Sequence, residues 1–220
     1  RAPEAGGALS YRMVVSVERN ERVLRSCPSA NLGESLMKIS KQEKKLVQSI
    51  TRPFRVTRGD RFRLAGIDPG DTLHFDSEDK PRAQEALKKG VQYLAALQDR
   101  LYAQDRWSVL LIFQAMDAAG KDGTIKHVMT GLNPRGCEVH SFKAPSSEEL
   151  DHDFLWSTSK ALPRRGHIGI FNRSYYEEML VVRVHPEILA GQQLPAERIT
   201  PRIWRERFED VVSYERYLSR

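Results

Sequence analysis

Residues 115–122, AMDAAGKD, have the spacing of a loop that cradles phosphate. The template is G-x-x-x-x-G-K-[ST], set between a buried strand and a helix. Gly120 and Lys121 keep their template positions, Ala115 stands at the first glycine, and Asp122 stands at the hydroxyl position. The backbone N–H groups of Ala118, Ala119, Gly120, Lys121 and Asp122 are expected to point at an anion, helped by the dipole of the helix that follows. Lys121 adds a charge-assisted bond to a phosphate oxygen. Alanine is tolerable at position 115 only if the backbone there has a negative φ. Asp117 is the unusual member, because a carboxylate beside phosphates repels them unless a cation bridges the two. That chemistry points to Mg²⁺ held between Asp117 and phosphate oxygens. The alternative role for Asp117 is to orient the attacking phosphate or accept its proton.

A second group lies in IGIFNRSYYEE, residues 168–178. An apolar run ends there in Asn172 and Arg173, and ligands bind at the carboxyl ends of strands in α/β sheets. Arg183 follows ten residues after Arg173. An arginine aimed at a transferring phosphoryl group stabilises its developing charge. Any one of these arginines alone reads as a surface ion pair. Lys121, Arg173 and Arg183 in one crevice would read as phosphate-binding and catalytic. The six histidines show no metal-ligand spacing, and Cys137 opens an apolar segment as a structural residue.

These residues need elements to position them. SVLLIF (108–113), CEVHSF (137–142) and HIGIF (167–171) read as strands, the first as an apolar run buried on both faces. Helices are predicted over 80–106, 121–131, 145–162 and 201–220 from their apolar spacing. Ser146 and Glu149 have capping-box spacing at the start of the third. In the last, Ile203, Trp204, Phe208, Val211, Val212 and Leu218 form one stripe. Strand alternating with helix implies an α/β domain with a largely parallel sheet. Three parts follow: an N-terminal segment over 1–36 expected to be disordered, an arm and helix over 37–106, and a core over 107–220.

The bulk properties set outer bounds. The 220 residues suit one domain, with 40% hydrophobic and 29% charged residues as in ordinary globular chains. No apolar stretch approaches the roughly 18 residues of a membrane helix. No signal-peptide pattern is visible, and two cysteines make no disulfide framework, so a reducing, cytoplasmic setting is expected. The net charge of +6 favours anionic partners.

Over residues 37–220 the sequence resembles the polyphosphate kinase 2 family, the polyphosphate:nucleotide phosphotransferases. The family loop G-x-D-x-x-G-K is matched by Asp117, Gly120 and Lys121, and a second motif by Asn172, Arg173 and Ser174. The resemblance implies a P-loop kinase-like three-layer sandwich, a parallel sheet between helices with a helical lid. It implies that Asp117 binds Mg²⁺ and activates the acceptor phosphate, and that Lys121, Arg173 and Arg183 grip phosphates. The expected partners are inorganic polyphosphate and AMP, ADP or ATP, in a homo-oligomer, with no membrane or nucleic acid. The Arg-rich residues 198–220 look like the start of the lid, and the domain is expected to be C-terminally incomplete. The rival functions are an ATP-dependent nucleoside monophosphate kinase and a non-enzymatic polyanion-binding domain.

Overall fold

The computed structural model describes the backbone of 12–15 and residues 45, 48, 49, 51–68, 70–72, 75–116 and 118–220. Asp117, His74 and most of the N-terminal segment lie outside the described residues.

Apolar runs form the centre of the sheet. Strands β1 (Arg12–Val15), β2 (Val109–Gln114), β3 (Cys137–Ser141) and β4 (Ile168–Asn172) lie in the order β1-β2-β4-β3. β4 is parallel to β2 on one side and to β3 on the other. Flanked on both edges and covered on both faces, β4 is uniformly apolar and buried up to Phe171. Gly169 is required by a close approach, since a Cβ there would sit 2.9 Å from the Pro163 ring. β1, within the segment expected to stand apart, pairs antiparallel with β2.

Alternation along the strands sends side chains to two cores. On one face Ile168 and Ile170 meet Ile125 and, less deeply buried, Leu101 and Met129. Those partners come from α1 (Lys80–Gln104) and α2 (Lys121–Met129). On the other face Ile112 and Phe171 pack with Tyr175, Met179 and Val211. These come from the turn after β4, from α5 (Glu177–Leu180) and from α7 (Ile203–Leu218). The result is a helix–sheet–helix sandwich around a parallel three-strand centre, the architecture expected. A third cluster, Val182, Leu189 and Ile203, ties α6 (Pro186–Ala190) to the start of α7.

Gln98 fixes α1 to the mouth of β3. It is 2% exposed, gives its amide to the Asn133 carbonyl at 2.7 Å and accepts the Asn133 N–H at 2.8 Å. Its amide also lies 3.0 Å from Cys137 Sγ, and burial pushes that thiol above its ordinary pKa, leaving it a protonated structural residue.

Two expectations need correction. The single helix over 145–162 is two short ones, α3 (Ser147–Leu150) and α4 (Trp156–Lys160). The Asp153 carboxylate takes the Leu155 N–H at 2.9 Å, a local bond that competes with helix continuation. The stripe on α7 is only partly buried: Ile203 and Val211 are in the core, whereas Phe208, Val212 and Leu218 are exposed. The third buried position of that helix is Arg207, which the apolar pattern could not show.

Candidate active site

The carboxyl ends of β2, β3 and β4 lie together because the three strands are parallel and in register. Ser141 and Phe113 both stand opposite Asn172. The 115–122 loop leaves β2 at this edge and enters α2. Ala118 (φ 61°) and Gly120 (φ 81°) are left-handed, while Ala115 is not among the positive-φ residues, as its side chain requires. The Ala119 N–H bonds back to the Met116 carbonyl at 3.2 Å, closing the turn. Gly120 is the N-cap of α2, and no side chain among the described residues caps that end. First-turn N–H groups have no acceptor within a helix, so this end can receive an anion.

Four side chains meet around that end. The Lys121 side chain is 10% exposed, and its Nζ lies 3.7 Å from Asp122 Oδ1. Asp122, 80% exposed, accepts the Asn172 amide at 2.7 Å. The same amide reaches Ser141 Oγ at 3.4 Å. Asn172 Oδ1 is buried with no hydrogen-bond partner among the described residues. Arg173 follows in the left-handed region at φ 64°, with its N–H on the Phe113 carbonyl at 2.9 Å. The structure thus gathers Lys121, Asp122, Asn172 and Arg173 at one sheet edge. Arg183 is exposed in the turn after α5 and takes no part in the bonds that join the others.

Sequence reasoning named Ser174 only as part of the second motif and missed Gln114 and Glu177. Gln114, 9% exposed, donates its amide to Glu177 Oε1 and stands 3.4 Å from the Ser174 hydroxyl. The signal was present: a polar residue closing an apolar run, the same one that singled out Asn172. Ser174 and Glu177 also border a cavity of about 130 Å³ whose wall includes Phe142, Lys143, His152 and Arg207.

The far wall of that cavity is charged and ordered. Arg207 is 5% exposed and donates to Glu178 Oε2 at 2.9 Å and to Gln192 Oε1 at 2.6 Å. Gln192 closes the triangle by donating to Glu178 Oε2 at 2.6 Å. Burial lowers the Arg207 pKa and the Glu178 charge opposes that effect, and the guanidinium stays ionised beside its partner. Tyr175 and Tyr176 both donate to Glu215 Oε1 of α7. Burial, then the Glu215 charge, pushes the Tyr175 phenol up, so it stays a donor.

Among the described residues no group of three or more His, Cys, Asp or Glu side chains could hold a metal ion by itself. What the site offers instead is a small donor set at the start of α2, the exposed Asp122 carboxylate. That donor set suits a cation completed by phosphate oxygens and water.

The family described as Polyphosphate kinase 2 (PPK2) matches residues 77–220. An ADP-polyphosphate phosphotransferase of Rhodopseudomonas palustris is 51% identical over 169 residues, covering 76% of this chain and 58% of the relative. An AMP/ADP-polyphosphate phosphotransferase of Meiothermus ruber is 42% identical over 168 residues, with the same coverage of 76% and 58%. The chain therefore spans a little over half the length of these curated relatives. The crystal structure of Polyphosphate Kinase 2 from Arthrobacter aurescens TC1 superposes with a TM-score of 0.62 at 34% identity, over 74% of this chain and 55% of that one. The family match runs over residues 77–220, well over half of the chain, and the chain belongs to the polyphosphate kinase 2 family.

Proposed function

We propose that this chain carries out phosphoryl transfer between inorganic polyphosphate and AMP or ADP, forming ADP or ATP. The observation that carries the reading is the start of α2, with Lys121, Asp122 and Asn172 converging on it at the carboxyl ends of three parallel strands. The names of the relatives supply the substrates, as phosphotransferases acting on polyphosphate with ADP or AMP.

A terminal phosphate oxygen of the nucleotide attacks the terminal phosphorus of polyphosphate. The new P–O bond forms as the P–O–P link to the rest of the chain breaks, and polyphosphate leaves one unit shorter. The acceptor oxygen is already anionic, so positioning and charge neutralisation carry the rate. The α2 backbone and Lys121 hold phosphate oxygens, and Arg173 neutralises the transferring group, with Arg183 as a second cation reached on closure. The Asn172 amide orients the Asp122 carboxylate, which lies beside the Lys121 ammonium. Mg²⁺ would be held by Asp117, with the exposed Asp122 carboxylate as a further acceptor at the start of α2. When bound, it supplies neutralisation between neighbouring phosphate oxygens. A cytoplasmic homo-oligomer completes the reading.

The test is ATP formation from polyphosphate, Mg²⁺ and ADP, then ADP formation with AMP as acceptor, with Lys121→Ala alongside. Transfer that falls about 100-fold or more in that variant supports the reading. Transfer from ATP but not from polyphosphate would assign the donor to a nucleotide, and no transfer from either would overturn the proposal.

A further inference from the structure

We infer that Gln114 is a positioning residue for this site, acting through the turn that carries Arg173. The inference rests on the proposed phosphoryl transfer for its catalytic consequence and on geometry alone for the turn. Arg173 sits at φ 64°, a conformation unfavourable for a non-glycine residue unless its surroundings hold it. Two anchors from β2 flank it. One is the Phe113 carbonyl, which takes the Arg173 N–H at 2.9 Å. The other is the Gln114 side chain, which uses both ends of its amide. Its nitrogen donates to Glu177 Oε1, and its oxygen faces the Ser174 hydroxyl at 3.4 Å. Ser174 Oγ in turn accepts the Tyr176 N–H at 3.2 Å. One buried amide therefore joins the phosphate-loop strand to both ends of the segment 174–177, directly after Arg173.

The amide is suited to this because it is donor and acceptor at once. A methionine of similar length keeps the packing and loses both bonds. A glutamate keeps the shape but sets a carboxylate against Glu177. Two carboxylates in contact cannot both ionise freely, so one holds a shared proton to a raised pKa. Gln114→Glu should then lock the turn in acid and release it as pH rises. The other charged groups around this cavity, Lys143, Glu149, His152, Asp153, Glu178 and Arg207, are common to wild type and variant. The difference between the two profiles isolates the new pair.

The experiment compares wild type, Gln114→Met and Gln114→Glu in the full chain with polyphosphate, ADP and Mg²⁺ across pH. Amide exchange of residues 173–177 is recorded in parallel. Gln114→Met is expected to lose about tenfold or more in kcat at every pH, since small misplacements of phosphate-gripping groups are costly. Gln114→Glu is expected to approach wild type in acid and fall away toward neutral pH, with exchange at 173–177 rising over the same range. Parallel pH profiles of Gln114→Glu and wild type, or unchanged exchange in Gln114→Met, would overturn the inference. A wild-type chain without transfer would overturn the functional reading and with it the catalytic consequence. The exchange data would still decide whether Gln114 holds the turn.

Discussion

Asn172 shows what the site asks of one residue. Its amide nitrogen is committed to Asp122 and its carbonyl oxygen is buried without a partner among the described residues. A buried, unsatisfied acceptor costs about 1–3 kcal/mol. Asn172→Leu removes that acceptor and fills similar volume, so the melting temperature is expected to hold or rise. The same change removes the amide that orients Asp122 beside Lys121, and kcat/KM is expected to fall about 100-fold. A variant that melts earlier while keeping its activity would assign Asn172 to the fold instead. The loop frame, Lys121 and the Asn172–Arg173 pair were legible in the sequence because each follows an apolar run. The bond from Asn172 to Asp122 was not, because it spans 50 residues and depends on which strands are neighbours.

At the scale of elements, the strands lie within one residue of their predicted bounds, since a strand buried on both faces reads as an apolar run. Helix ends were legible where side chains set them. The capping box forms, with Ser146 N–H donating to Glu149 Oε2 at 2.8 Å and Glu149 N–H to Ser146 Oγ. Hydrogen bonds to its carboxylate, led by the Ser146 backbone N–H, hold the Glu149 pKa below its ordinary value. A carboxylate depressed in the folded state contributes stability above its unfolded pKa of about 4.3. That contribution is lost as pH falls through the lower folded value. Denaturant midpoints of wild type and Glu149→Gln should therefore differ at neutral pH and converge in strong acid; a constant gap would sink the assignment. The burial of Arg207 escaped the sequence, because an arginine amid apolar spacing reads as a solvated position. Arg207→Ala leaves Glu178 buried and uncompensated, and is expected to cost about 3–5 kcal/mol. Replacing Arg207 and Glu178 together by methionine should recover much of that loss in denaturant titration. Equal losses in the single and double variants would refute the pairing as its cause.

For the whole molecule, sequence alternation implied a parallel sheet but not the order β2-β4-β3. Nothing in the spacing of apolar runs says that the third parallel strand inserts between the first two. That insertion is what brings Asn172 beside Asp122 and Arg173 beside Phe113. The net charge of +6, by contrast, was legible at once and belongs to the molecule more than to any site. Charges spread over the surface act on a long polyanion at many points and on a mononucleotide at few. Exposed charges are screened over about 8 Å at physiological ionic strength and over about 3 Å at 1 M. The apparent KM for long-chain polyphosphate is therefore expected to rise steeply with added salt, and the KM for ADP to rise far less. Shortening polyphosphate toward a few units should flatten its salt dependence toward that of ADP, because fewer surface cations can then be engaged together. Salt slopes that ignore chain length would mean that only the groups around Lys121 meet the donor, with the basic surface serving some other purpose.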